Sequence, residues 1–221
     1  MCGRYVRFTE VDRLLRPLGA HWEGPDLLPN YNTAPGQPVL AARQREGHRE
    51  AVLLRWGLIP SWAKDKSIGY RMINARAEGI ADKPAFRQPF RHQRCLIPAD
   101  GFYEWRQEDG RKQPWYIHRR DGEPLAFAGL WDRWQGSEVI ESCAIITGVP
   151  NAVVAPIHDR MPVILHPADY AAWLESDNRL LLEQLLRPIP ADLLAAYPVG
   201  LAVNKPANGG PGLIEPWTGA G

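Results

Sequence analysis

The apolar positions of this chain fall in short runs divided by polar, Gly- and Pro-rich punctuation, a pattern of strands rather than long helices. Residues 94–98, 101–106, 114–119, 125–131 and 139–148 predict strands, with turns at Glu108-Asp109-Gly110 and Asp121-Gly122. The runs 39–43 and 51–58 predict two more, joined around Glu46-Gly47, and 161–165 predicts another. Thr9-Glu10-Val11-Asp12 reads as a helix start, with Thr9 as N-cap and Asp12 near the third position. Leu14, Leu15 and Leu18 supply its apolar stripe, which ends at Gly19. Further helices are predicted over 168–175, 178–186 and 191–196. Residues 21–38 predict a loop that includes a tight turn at Asn32-Thr33-Ala34-Pro35-Gly36. Residues 60–90 predict a long basic loop, and the tail from Asn204 irregular backbone. Together these imply an α+β fold: a curved β core, antiparallel sheet or barrel, with peripheral helices.

Composition narrows this. A chain of 221 residues fits one domain, 1–221, large enough to bury a core without disulfide staples. Its 21 prolines, 20 glycines and 9 tryptophans suit short strands and many turns. There is no apolar run of about 18 residues and no signal-type apolar segment, so a cytoplasmic protein with no membrane partner is expected. Cys2, Cys95 and Cys143 are widely spaced and odd in number, which indicates neither a disulfide framework nor a zinc site; no metal or other cofactor is called for. Cys95 and Cys143 lie in apolar runs and are expected in the core. The net charge of +1 hides an asymmetry: residues 55–100 hold nine Lys or Arg against four acids, leaving the remainder at −4. A basic middle with interleaved aromatics fits an anion-binding face that stacks unpaired bases on Trp62, or a solvated basic surface with no partner. Trp56 is expected in the core.

Four places carry candidate chemistry. Cys2 follows the initiator Met1, and removal of Met1 leaves an α-amine beside a thiol. An amine with a pKa of about 7.7–8.0 is partly neutral at pH 7 and attacks an aldehyde to give an imine; the thiol then closes a thiazolidine ring. The same pair could instead serve as nucleophile and base for amide hydrolysis. Asn74, between Ile73 and Ala75, either holds a substrate oxygen or the amine, or caps a turn. Glu104 lies in the aromatic run Gly101-Phe102-Tyr103-Glu104-Trp105. If it shares a face with Phe102, desolvation raises its pKa and suits it to a proton shuttle; otherwise it faces solvent. His158 opens His158-Asp159-Arg160-Met161-Pro162 directly before a strand and is the acid/base candidate among six histidines.

These pieces in order, Met1-Cys2-Gly3-Arg4-Tyr5, Asn32-Thr33-Ala34-Pro35-Gly36, Trp56-Gly57-Leu58-Ile59-Pro60, Ile73-Asn74-Ala75-Arg76-Ala77-Glu78, Arg94-Cys95-Leu96-Ile97-Pro98, Gly101-Phe102-Tyr103-Glu104-Trp105 and His158-Asp159-Arg160-Met161-Pro162, resemble the SOS-response-associated peptidase (SRAP) family. The resemblance spans residues 2 to about 208, leaving an irregular tail at 209–221. It implies a distorted antiparallel or mixed β-barrel-like core flanked by helices and a positively charged channel for single-stranded DNA. It also implies autocatalytic removal of Met1 and a covalent thiazolidine between Cys2 and the aldehyde of a ring-opened abasic site, which shields the lesion during repair in the SOS response. Carried over residue by residue, Cys2 is the crosslinking nucleophile, Asn74 positions the amine and the sugar, and Glu104 moves protons. His158 acts at the sugar hydroxyl and in ring opening or crosslink reversal. Arg4, Arg76 and Arg160 hold phosphates and Trp62 stacks near the lesion, with Pro35 a further DNA contact. The chain departs from some relatives beyond Glu78, where Lys83 or Arg87 stands in for an arginine. The resemblance favours a monomeric, nucleoid-associated protein acting on DNA. Two other classes remain from the residues alone: an N-terminal-nucleophile amidohydrolase or peptidase, and a non-catalytic binding module for modified or single-stranded DNA.

Overall fold

The computed structural model describes residues 2–108 and 110–219; Met1 and Asp109, the middle of one expected turn, lie outside the described residues. In chain order the elements are β1 (Tyr5–Arg7), α1 (Val11–Leu15), β2 (Asn30–Thr33), β3 (Pro38–Arg45), β4 (His48–Trp56), β5 (Asn74–Arg76), α2 (Arg87–His92), β6 (Arg94–Ala99), β7 (Gly101–Glu108), β8 (Arg111–Arg119), β9 (Leu125–Gln135), β10 (Val139–Gly148), β11 (Met161–Pro162), α3 (Tyr170–Glu175), α4 (Arg179–Leu185) and β12 (Leu194–Pro198). Strand pairing β10-β4-β3-β6-β9 returns to β10, so these five close into a barrel with one parallel step, β4 on β10. The short β5 and β11 attach to β10. The second sheet runs β12-β8-β7-β1-β2. The expected α+β architecture with a distorted barrel-like core is the one observed.

Side-chain alternation divides the core. On β3 and β6, Leu40, Ala42 and Leu96 join an apolar cluster shared with the helices, while Val39, Ala41, Cys95 and Ile97 join one shared with the second sheet. Cys2, Tyr5, Phe102 and Phe127 belong to that second cluster, so the N-terminus is built into the junction between barrel and sheet. Tyr5 packs against Trp56 at 5.5 Å and edge-on to Phe127 at 5.9 Å between ring centres. Cys95 and Cys143 are fully buried, as is Trp56.

Several elements differ from expectation. The first helix begins at Val11 with Glu10 as its cap residue, because Thr9 gives its hydroxyl and backbone N–H to Asp100. The loop at 21–38 contains β2, which extends the second sheet beside β1. Residues 60–90 contain a 3-10 turn at Lys66–Arg71, β5 and the start of α2. The expected helix at 191–196 is a 3-10 turn followed by β12, since the edge of β8 offers a backbone ladder that outweighs the helix preference of its alanines. Only Met161–Pro162 of the run 161–165 is a continuous strand, with an isolated bridge at Ile164. The tail carries a 3-10 turn at Pro211–Ile214, buries Leu213 and bridges Val199 to Pro216. As far as Gly219 the tail is thus mostly irregular, as expected, but packed onto the fold.

Candidate active site

Antiparallel pairing of Tyr5 with Phe102 and Val6 with Gly101, continued by the Tyr103 N–H donating to Arg4 O at 3.0 Å, sets Glu104 opposite Gly3. Cys2 is fully buried. Burial, reinforced by the nearby Glu104 carboxylate, pushes its thiol pKa far above the ordinary value, so the sulfur is held as a thiol. Glu104 alternates onto the same face of β7 as Phe102 and is only 2% exposed; desolvation pushes its pKa up to about 7. A carboxyl with that pKa takes up and releases protons at neutral pH.

His158 closes a turn organised by Asn151, whose Oδ1 accepts from Val153 N and Val154 N while its Nδ2 reaches Ile189 O. His158 Nε2 lies 3.8 Å from Glu104 Oε2. Its Nδ1 accepts the Arg160 backbone N–H at 2.9 Å, and partial burial holds its pKa below the ordinary value. Asn74 rides on β5, which pairs in parallel with β10 at Ile145. The preceding carbonyl, Ile73 O, accepts from the indole of Trp56 at 2.9 Å. The Asn74 amide nitrogen contacts Ile145 O at 3.4 Å, and its Oδ1 is buried with no hydrogen-bond partner among the described residues. Among those residues no cluster of His, Cys, Asp and Glu could hold a metal.

The candidate DNA contacts are distributed unevenly. Trp62 is 59% exposed and shares a hollow of about 370 Å³ with Arg87, Pro84 and Asp132. Its loop is pinned by Ser61 N–H to Asp132 at 2.8 Å and the Trp134 indole to Ala63 O at 2.7 Å. Where that loop leaves and re-enters the barrel, Gly57 has φ +124° and a side chain there would strike Gly69 O at 2.6 Å, so only glycine fits. Arg76 is exposed at the end of β5, and Pro35 forms the turn between β2 and β3. Arg4, by contrast, donates inward to Asn32 Oδ1 and Val203 O, each at 2.8 Å. Lys83 Nζ donates to Glu78 O at 3.0 Å. Arg160 pairs two-pronged with Glu78 at 2.6 and 2.8 Å. The family model for SOS response associated peptidase (SRAP) matches residues 1–206. This chain belongs to the SRAP family.

Among its SRAP relatives, Abasic site processing protein YoqW of Bacillus subtilis is 44% identical over 222 residues, covering 97% of this chain and 99% of that protein. Abasic site processing protein YedK of Escherichia coli is 32% identical, with 98% and 100% covered. Abasic site processing protein HMCES of Gallus gallus is 32% identical, with 98% of this chain and 78% of the relative covered. A crystal structure of a Bacteroides thetaiotaomicron protein superposes with a TM-score of 0.89 at 27% identity, covering 98% and 100% of the two chains. The SRAP fold thus brings Cys2, Glu104 and His158 together, while the Trp62–Arg87 hollow shares no lining residue with them. Asn32 and Asn151, both buried, hold Arg4 and the His158 turn in place, which the sequence pattern alone does not reveal. Their tell-tale would have been an asparagine placed where no apolar pattern required one, a weak signal.

Proposed function

We propose that this chain processes abasic sites in single-stranded DNA by forming a thiazolidine through Cys2. Removal of Met1, autocatalytic in this reading, frees the Cys2 α-amine. The amine attacks the C1′ aldehyde of the opened sugar, a proton passes to the departing oxygen, and water leaves to give an imine. The Cys2 sulfur then bonds to C1′ as the thiol proton moves to nitrogen, closing the five-membered ring. Glu104 carries these protons, His158 exchanges them with Glu104 and acts on the sugar hydroxyl, and Asn74 Oδ1 accepts from the amine. Trp62 stacks a base beside the lesion, and Arg76 and Arg87 neutralise phosphates on the exposed face.

The observation that carries the reading is a desolvated carboxyl with a pKa near neutral, Glu104, set against the one cysteine able to become an aminothiol. The relatives named for abasic site processing, matched over nearly the whole chain, support the substrate class. Intact-mass spectrometry of the purified protein, alone and after incubation with an abasic-site oligonucleotide, tests it. The expected result is loss of one methionine and a DNA adduct that is absent in Cys2→Ala. A processed protein that never forms the adduct would overturn the crosslinking step and move the reading to an amidohydrolase.

A further inference from the structure

Asn32 has no part in the chemistry above, yet it is 2% exposed and both arms of its carboxamide are engaged. Two steps along β1, from Tyr5 to Arg7, match three along β2, from Asn30 to Thr33, and this bulge carries Asn32. Its Nδ2 donates to Asn208 O at 2.9 Å and Lys205 O at 3.0 Å, with Val203 O at 3.4 Å. Its Oδ1 accepts from Arg4 Nη1 at 2.8 Å, and the same nitrogen donates to Val203 O at 2.8 Å. Backbone carbonyls only accept and a guanidinium only donates, so one orientation of the carboxamide satisfies all of these contacts. The turn that supplies the carbonyls is itself held. Asn208 Nδ2 donates to Ala202 O at 2.8 Å, and the indole of Trp105, the residue after Glu104, donates to Asn204 Oδ1 at 2.7 Å. Val203 is buried in one apolar cluster with Val6 and Tyr103.

This tether occupies a single nitrogen of Arg4. Its Nε and Nη2 donate to no group among the described residues, and no carboxylate there pairs with it. Arg13, Arg43, Arg49, Arg119 and Arg179, by contrast, each meet a carboxylate. Neutral acceptors orient a guanidinium without cancelling its charge. The Arg4 main chain meanwhile touches the site on both sides: its N–H donates to the Cys2 sulfur, and its O accepts from Tyr103 N at 3.0 Å. We propose that Asn32 and the turn 203–208 are positioning elements that hold the Nε–Nη2 edge of Arg4 ready for a phosphate of single-stranded DNA beside Cys2. The inference rests on the DNA reading above and deepens it by naming what builds one phosphate seat. That edge is a planar two-pronged donor, the geometry that a phosphate accepts. A seat assembled before DNA arrives spares the arginine a loss of rotamer freedom on binding. Because the same residue abuts Cys2, a phosphate held there also sets the register of the reacting sugar.

The test uses the full-length wild type, Asn32→Ser, Arg4→Ala and the double variant, with urea melts to establish folding. Binding of a lesion-free single-stranded oligonucleotide is followed by fluorescence anisotropy across a salt series. Each phosphate contact contributes about 0.7 to the slope of log K against log salt concentration. Asn32→Ser and Arg4→Ala are each expected to weaken binding by about three- to tenfold and to flatten that slope by about 0.5. The double variant is expected to bind no worse than Arg4→Ala alone, since both substitutions remove one contact. A purely structural asparagine would lower the melting midpoint and leave the salt slope alone. An unchanged slope in folded Asn32→Ser, or losses that add in the double variant, would therefore overturn the seat. The wild type gives a second answer should Asn32→Ser fail to fold. With the Arg4 guanidinium 15N signals assigned by their absence in Arg4→Ala, saturating oligonucleotide is expected to shift Nε and Nη2 and leave Nη1 in place. No shift, or a shift confined to Nη1, would overturn the seat as well. If the wild type bound this DNA yet formed no crosslink with an abasic oligonucleotide, the thiazolidine reading would fall while the slopes and shifts still decided the role of Asn32.

Discussion

Substituting Glu104 by glutamine tests the electrostatics of the site in two independent ways. In the unfolded chain this carboxyl titrates near 4.5; in the folded protein desolvation moves it to about 7. Between those values the folded chain keeps a proton that the unfolded chain releases, so the fold loses stability as pH rises through the window. The loss is complete above about pH 7, and at about 1.36 kcal/mol per pKa unit it amounts to roughly 3 kcal/mol. The residue is 2% exposed, so solvent screening removes little of this. Glutamine is neutral on both sides and removes the dependence. Thermal melts of wild type and Glu104→Gln from pH 4.5 to 8 should therefore diverge, with the variant gaining on the wild type by roughly 6–12 °C in a domain of this size. Comparing the two isolates Glu104 from every other titrating group. Single-turnover crosslinking should move the opposite way, falling by roughly 10²-fold and losing its inflection near pH 7. Melting curves that stay parallel across the range would refute the raised pKa. A variant that crosslinks with the wild-type pH profile would refute the shuttle.

The remaining expectations follow from individual contacts. Asn74→Ala removes a buried carbonyl oxygen that has no partner among the described residues, so thermal stability should hold or rise while crosslinking falls by about tenfold or more. Trp62→Ala should cost about 1–3 kcal/mol of single-stranded DNA affinity in fluorescence anisotropy, with melting temperature unchanged, because the ring is exposed. Arg43 is 2% exposed, bonds Glu50 at 2.7 Å and Glu141 at 3.0 Å, and stacks 4.0 Å from the centre of Trp131. Arg43→Ala should cost about 3 kcal/mol in urea denaturation, and Arg43→Lys should recover little of it because lysine offers neither the fork nor the flat stacking surface.

What could be read from the sequence depended on whether the interaction was local. The barrel strands were legible because their alternation is imposed by two apolar clusters on opposite faces, as on β3 and β6. Glu104 was legible because the alternation that buries Phe102 also buries it. The β3–β4 hairpin turn was legible because Glu46 and Gly47 take φ of 51° and 84°, which glycine favours. The three-residue β5, the polar β2 and the alanine-rich β12 were not, since each is defined by a partner strand far along the chain. The same limit applied to Arg4 and Arg160. Their phosphate roles are read from the motif, whereas the contacts that orient them, Asn32 and Val203 for one and Glu78 for the other, come from far along the chain. Glu78 was visible in the motif, but only the shared β10 brings it to Arg160.

The environment of Cys2 also sets the order of the proposed chemistry. Burial opposes every charged form, so it raises the thiol pKa and by the same physics lowers that of a buried amine. A thiol that stays protonated is a poor first nucleophile, because the thiolate is the reactive species. The α-amine, with an ordinary pKa of about 7.7–8.0, is partly neutral at pH 7 and can attack where the protonated thiol cannot. Glu104 works in both directions: as a carboxylate it draws a proton off the amine, and as an acid it delivers one to the departing oxygen. Once the imine carries positive charge, that charge sits beside the sulfur and reverses the electrostatic penalty on the thiolate. Thiol addition therefore follows imine formation rather than preceding it. Cys2→Ser, with the amine kept and the sulfur removed, should still form an imine that borohydride traps on abasic DNA but that hydrolyses without it. A Cys2→Ser protein shown by intact mass to have lost Met1, yet not trapped by borohydride, would refute amine-first attack.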